Sequence, residues 1–164
     1  MNKQVNLNDI FDIMSEKLNS GGSVTFSPKG TSMLPMLRDG EDAVVLVKPS
    51  GRLHLFDLPL YRRSNGTYVL HRIVSFDSDG SYVMCGDNQF AKEHGIKDED
   101  IIAVVTAFYR KGKPYTVQSP TYRLYLNVLF YIRPFRRLYV VAKNRIKKSF
   151  GMEKKDNKNE KNSD

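Results

Sequence analysis

Leu58-Pro59-Leu60-Tyr61-Arg62-Arg63-Ser64-Asn65-Gly66-Thr67-Tyr68-Val69-Leu70-His71-Arg72-Ile73-Val74-Ser75-Phe76 is the stretch whose reading decides the fold class. Two apolar, β-rich runs, Leu58–Arg62 and Thr67–Phe76, flank Ser64-Asn65-Gly66, a strong turn signal, so the segment reads as a hairpin. Similar pieces extend in both directions. Upstream are a brief strand at Val24-Thr25-Phe26 and an apolar run, Ala43–Val47, after the turn residues Arg38-Asp39-Gly40. Downstream, Ser81–Cys85 follows Asp79-Gly80, and Ile101–Arg110 closes the series. Short strands at this spacing predict a mainly β domain, a mostly antiparallel barrel or sandwich.

The flanks are different. Leu7, Ile10, Phe11, Met14 and Leu18 recur at helical spacing, with Asn8 as N-cap and Gly21-Gly22 as a stop, which predicts a short amphipathic helix packing one face on the body. After Lys111-Gly112-Lys113-Pro114, residues Tyr122–Ile132 are dense in Leu, Val, Phe and Tyr, and Pro134 is expected to interrupt or kink a helix there. From Met152 onward the Lys, Asp, Asn, Glu and Ser residues cannot bury a core, so a disordered tail is expected. The resulting division is residues 1–22 for the N-terminal helix, 23–113 for the β domain, 114–150 for a basic amphipathic extension and 151–164 for the tail.

Charge is concentrated in that extension. Between Thr121 and Phe150 stand Arg123, Arg133, Arg136, Arg137, Lys143, Arg145, Lys147 and Lys148, with no Asp or Glu. Removing these eight from the 26 basic residues leaves 18, which matches the 18 acids, so the net +8 belongs to this segment. An anionic bilayer surface, met through residues 121–150, suits the dense apolar run better than nucleic acid does. A helix packed on the body with its charged side in water is the plainer alternative. The N-terminus lacks a basic n-region and an unbroken apolar h-region, and no stretch reaches the ~20 apolar residues of a span. The expected location is cytoplasmic, peripheral on the inner face of the membrane.

Three segments carry chemistry. In Gly30-Thr31-Ser32-Met33-Leu34-Pro35, a serine just after a glycine in a turn can stand clear of the backbone, and Pro35 stiffens the loop. His71 lies in an apolar strand and has the ordinary pKa of a base near neutrality, although a hydrogen-bonded structural histidine would read the same. Asp87 in Gly86-Asp87-Asn88 can orient an imidazole; it can equally cap the turn or pair with Arg72.

Taken in order, Gly-x-Ser-Met-x-Pro, His-Arg-Ile-Val and Gly-Asp-Asn resemble the signal peptidase superfamily, which also contains self-cleaving repressors. The resemblance covers Ser23–Arg110. His71 stands where members carry lysine or histidine as base, so the chain is similar to the serine–histidine branch of the endoplasmic-reticulum and archaeal enzymes. What the resemblance implies is a coil of β-strands with Ser32 and His71 facing each other in a groove. Asp87 matches the family's aspartate, Asn88 its neighbour, and the Gly30, Thr31, Met33 and Pro35 segment lines a groove for small side chains. Phe56-Asp57 stands where the family has a Gly-Asp turn, and Gly30 where some members place an oxyanion-stabilising hydroxyl. The Ser32 N–H, with the Thr31 hydroxyl, would then serve the oxyanion. Many members carry a membrane helix before the serine, where this chain has an acidic amphipathic segment.

The expected function is therefore a serine endopeptidase acting on a peptide or precursor protein. A non-catalytic peptide-binding module on the same fold is the alternative. A self-cleaving regulator is disfavoured, because about 30 residues before Ser32 leave no room for a DNA-binding domain. His54 and His94 are read as surface histidines, and the single cysteine, Cys85, as a small core residue that excludes an intramolecular disulfide. No zinc-ligand spacing or phosphate-cradling glycine pattern occurs, so neither metal nor cofactor is expected.

Overall fold

A computed structural model describes residues 7–149 of the chain. It is mainly β, with one helix at each end. After helix α1 (Leu7–Asn19) come β1 (Ser23–Phe26), β2 (Ala43–Val47), β3 (Pro59–Arg62), β4 (Tyr68–Leu70), β5 (Arg72–Phe76), β6 (Tyr82–Cys85) and β7 (Glu93–Ile96). A single 3-10 turn then leads into β8 (Ile101–Arg110), β9 (Lys113–Thr116) and helix α2 (Pro120–Ser149).

The strands form two open antiparallel sheets. One runs β1-β2-β8-β3-β4, with β9 also on β8; the other runs β5-β6-β7. Among the described residues neither sheet closes into a barrel. β2 alternates half-buried and buried positions, the period-2 signature of a sheet with one face on the core. β6 is buried at every position, as its unbroken Tyr-Val-Met-Cys run requires. Leu53, Tyr61, Ile73, Tyr82 and Met84 form one buried cluster that draws on both sheets.

His71 marks the passage between the sheets. Leu70 pairs with Leu60 in the first sheet, whereas Arg72 pairs with Cys85 in the second. The predicted single strand Thr67–Phe76 is therefore two strands that share a corner. The change of partner places His71 and Arg72, both buried, among different neighbours.

The structure departs from the sequence reading in three further places. β7 has no counterpart in that reading, because Glu-His-Gly-Ile shows no apolar alternation. β9 lies where the sequence suggests only a turn; Pro114 is tolerated there because β9 pairs with β8 alone. Pro134 does not interrupt α2, which is continuous from Pro120 to Ser149. Proline's fixed φ is compatible with helix, so it removes a hydrogen bond without forcing an end. The start of α2 follows the rules for helix N-termini: Pro120 is its first residue, and the Ser119 hydroxyl accepts the Tyr122 N–H at 3.3 Å.

The first compact unit runs to Leu126; within it β9 pairs with β8, and Tyr122 and Leu126 are buried. The second unit begins at Asn127. The expected tail, 151–164, lies outside the described residues. No described helix is long and apolar enough to cross a membrane.

Candidate active site

Ser32 sits in the loop between β1 and β2, and this loop is held from below by the turn between β6 and β7. Gly30, at φ 97°, occupies the left-handed region that a side chain would strain, and it sets the turn into Thr31-Ser32. The Asn88 N–H donates to the Ser32 carbonyl at 2.8 Å, and Asn88 Nδ2 donates to the Thr31 carbonyl at 3.1 Å. Gly86 lies so close that a Cβ there would stand 2.7 Å from the Ser32 carbonyl oxygen and 3.1 Å from the Ser32 Cβ. The bonds that close the loop run from the Leu34 N–H to the Thr31 carbonyl and from the Leu37 N–H to the Met33 carbonyl. They leave the Ser32 N–H out of the turn closure.

Ser32 and His71 line one cavity of about 860 Å³. Its walls are largely apolar: Met14 of α1, Val24 and Phe26 of β1, Met33, Leu60 of β3 and Leu70 of β4 all contribute. Ser32 is half-buried, and His71 is 3% exposed. Among the described residues no hydrogen bond joins the Ser32 hydroxyl to His71.

On its other side, His71 meets a carboxylate that the sequence did not single out. His71 Nδ1 is 3.1 Å from Glu93 Oε1 and 3.4 Å from the Tyr61 hydroxyl. Glu93 Oε2 accepts from the Tyr61 hydroxyl at 2.9 Å and from Arg63 Nε at 2.7 Å, while Arg63 Nη2 donates to Oε1. Burial raises the Glu93 carboxyl, but the bonds from Arg63 and Tyr61 outweigh it and hold its pKa below the usual carboxylate range. An ionised carboxylate only accepts, so Nδ1 carries the proton and Nε2 keeps its lone pair. Burial depresses the His71 pKa, and Glu93 offsets this only in part, so the imidazole is neutral at pH 7. Glu93 comes from β7, bracketed by Lys92 and His94.

Asp87 has a different place. Arg72 Nε and Nη2 donate to its two carboxylate oxygens, both at 2.7 Å, in a bidentate pair with almost no exposure. The Tyr125 hydroxyl donates to Asp87 at 3.0 Å. Arg72 in turn donates to the Tyr122 hydroxyl at 2.6 Å, to the Phe56 carbonyl at 3.0 Å and to the Met36 sulfur at 3.1 Å. Burial opposes the Arg72 charge, and Asp87 outweighs it, so Arg72 stays fully ionised. The expectation that Asp87 orients His71 thus gives way to the alternative of pairing with Arg72. The reason is the corner: the two neighbours in sequence face different partners. The Asp87 charge also favours the protonated imidazole of His71, behind the larger effects of burial, Glu93 and Arg63.

Gly30 and Met33 line the cavity with Ser32 and His71, whereas Thr31 and Pro35 are exposed on the same loop. The Cys85 thiol is buried and donates to the Gln89 and Ala91 carbonyls at 3.4 and 3.1 Å. His54 and His94 are exposed beside Asp57 and Asp77. Among the described residues no three metal-ligating side chains cluster. Comparison with protein families, with curated proteins and with solved structures returns no match.

Proposed function

We propose that the chain is a serine endopeptidase of signal-peptidase type, in which Ser32 is the nucleophile, His71 the general base and Glu93 the carboxylate that positions His71. The observation that carries this reading is that Ser32 and a neutral His71 line one apolar cavity while His71 Nδ1 faces a charged carboxylate. Phe56 supports it from a distance. It holds φ 74°, a left-handed conformation, at the position where the family places glycine.

Ser32 Oγ attacks the scissile carbonyl carbon, and its proton passes to His71 Nε2. The imidazolium is stabilised by Glu93, and the negative carbonyl oxygen faces the Ser32 N–H. Collapse of the adduct breaks the C–N bond, and His71 returns the proton to the leaving amine. Water then repeats the sequence on the acyl-enzyme: His71 removes its proton, the adduct expels Ser32 Oγ, and His71 reprotonates it. The substrate is an extended peptide. β1 and β4 stand at the two ends of their sheet's strand order among the described residues, and both contribute to the cavity, so an extended peptide bound there would run beside sheet strands. The apolar walls suit an uncharged side chain.

A second reading, a peptide-binding module without turnover, draws on the missing hydrogen bond between Ser32 and His71. In ligand-free enzymes such bonds are commonly long and tighten on substrate binding. Treatment with a fluorophosphonate or a penem, followed by mass spectrometry, separates the two. The peptidase reading expects an adduct on Ser32 that is absent in Ser32→Ala and strongly reduced in His71→Ala. Folded protein that does not label supports the binding module.

A further inference from the structure

Within the second unit, α2 carries an apolar face that the peptidase reading does not use. Val128, Tyr131, Ile132, Phe135 and Leu138 are exposed, with Tyr131, Phe135 and Leu138 at 79%, 71% and 68%. Their spacing of three and four residues gathers them within about 120° of the helix circumference. Arg133 and Arg136 fall outside that arc, and the Arg133 guanidinium lies over the Phe130 ring, 5.8 Å from its centroid. From Thr121 to Phe150 the sequence holds eight basic residues and no acidic one.

An occupant must satisfy both features. A second copy of the helix would cover the apolar face but bring two uncompensated cationic segments together. Nucleic acid would meet the charge and leave the five apolar side chains in water. An anionic bilayer accepts both: apolar side chains enter the acyl boundary, and basic ones stay among the headgroups. We propose that α2, from Asn127 onward, lies in the interface of an anionic lipid bilayer and attaches the protein to it without spanning it. The inference is independent of the chemistry at Ser32. Each basic residue near such a surface strengthens partitioning about fivefold, so the attachment should depend steeply on salt.

The test uses full-length protein with sedimenting vesicles of phosphatidylcholine alone or with about 30% phosphatidylglycerol. Binding should be at least about tenfold stronger on the anionic vesicles and be lost near ~0.5 M salt. The variant Tyr131→Ser/Phe135→Ser/Leu138→Ser changes only exposed positions. It should keep the wild-type melting temperature and lose at least about tenfold in anionic-vesicle binding. The chain has no tryptophan, so Phe135→Trp supplies a single reporter, whose emission should shift to the blue on anionic vesicles. Equal binding to both vesicle types, or no binding to either, would overturn the proposal. So would an unshifted emission from the Phe135→Trp variant, a dimer that the triple variant converts to monomer, or salt-sensitive nucleic-acid binding without vesicle binding.

Discussion

Replacing Gly86 by alanine tests whether the turn between β6 and β7 sets the position of Ser32. The added Cβ would stand 2.7 Å from the Ser32 carbonyl oxygen, 3.0 Å from the Gln89 side-chain oxygen and 3.1 Å from the Ser32 Cβ. The Gln89 oxygen is the far end of a flexible side chain. The Ser32 carbonyl cannot easily move aside, because the Asn88 N–H holds it at 2.8 Å from two residues along the same turn. Opening the contact from 2.7 Å to the 3.4 Å where ordinary van der Waals contact begins requires a shift of about 0.7 Å. Such overpacking costs about 1–3 kcal/mol of stability. A 1 Å misplacement of a reacting group costs about 10²-fold in rate, so about 0.7 Å predicts roughly a 25-fold loss in acylation. The assay is the second-order rate constant for fluorophosphonate labelling of Ser32, read by intact mass, with a thermal melt alongside. Gly51→Ala is the control, since a Cβ there meets nothing within 4 Å. Labelling of folded Gly86→Ala within twofold of wild type would refute the reasoning.

The acylation rate of the wild type should have an acid limb centred below 6.5, because burial depresses the His71 pKa; a limb centred above 6.5 contradicts the assignment. Glu93→Gln removes the anion that favours imidazolium. It should lower the plateau rate by about 10²–10⁴-fold and move the acid limb to still lower pH. A merely structural Glu93 would leave the limb where it is. Asp87→Ala strands the buried Arg72 guanidinium and should cost about 3–5 kcal/mol, roughly 10 °C in melting temperature; a shift under about 2 °C would show that Arg72 finds other partners. His71 and Glu93 both have folded pKa values below their unfolded ones. Their contributions are therefore present at neutral pH and lost as pH falls, first below about 6.5 and then through the carboxylate range. Denaturant midpoints should decline in that direction, and a midpoint that rises on acidification would oppose it.

The β body is readable because its strands carry their own signals: alternation in Ala43–Val47, a turn at Ser64-Asn65-Gly66, and a long apolar run at Ile101–Arg110. Ser32 and His71 can be named because short local patterns surround them. Glu93 cannot. Its strand is short, has Ile96 as its one large apolar residue, and is defined by pairing with β6, which is information that no window of sequence contains. For Asp87 the sequence leaves two partners open, His71 and Arg72, because adjacent residues in a strand differ only in the face they present. The choice is made by the corner at His71, where strand partners change between sheets. The tie between helix and β body is hidden from sequence for a related reason: Tyr122 reads as part of a basic amphipathic helix and lies in one, and its hydroxyl also accepts from a buried arginine 50 residues earlier.

That last contact bears on the order of events during synthesis. Residues up to Arg110 contain Ser32, His71 and Glu93, so by that point the ribosome has made all three side chains of the proposed centre. Arg72 and Asp87, directly behind them, still lack the Tyr122 and Tyr125 hydroxyls. A nascent chain halted after β9 would still lack both hydroxyls that bond this ion pair, Tyr122 on Arg72 and Tyr125 on Asp87. Completion of the first turns of α2 is then the step that closes the Arg72–Asp87 network, and under the peptidase proposal the nucleophile loop would gain its full support only once those turns emerge.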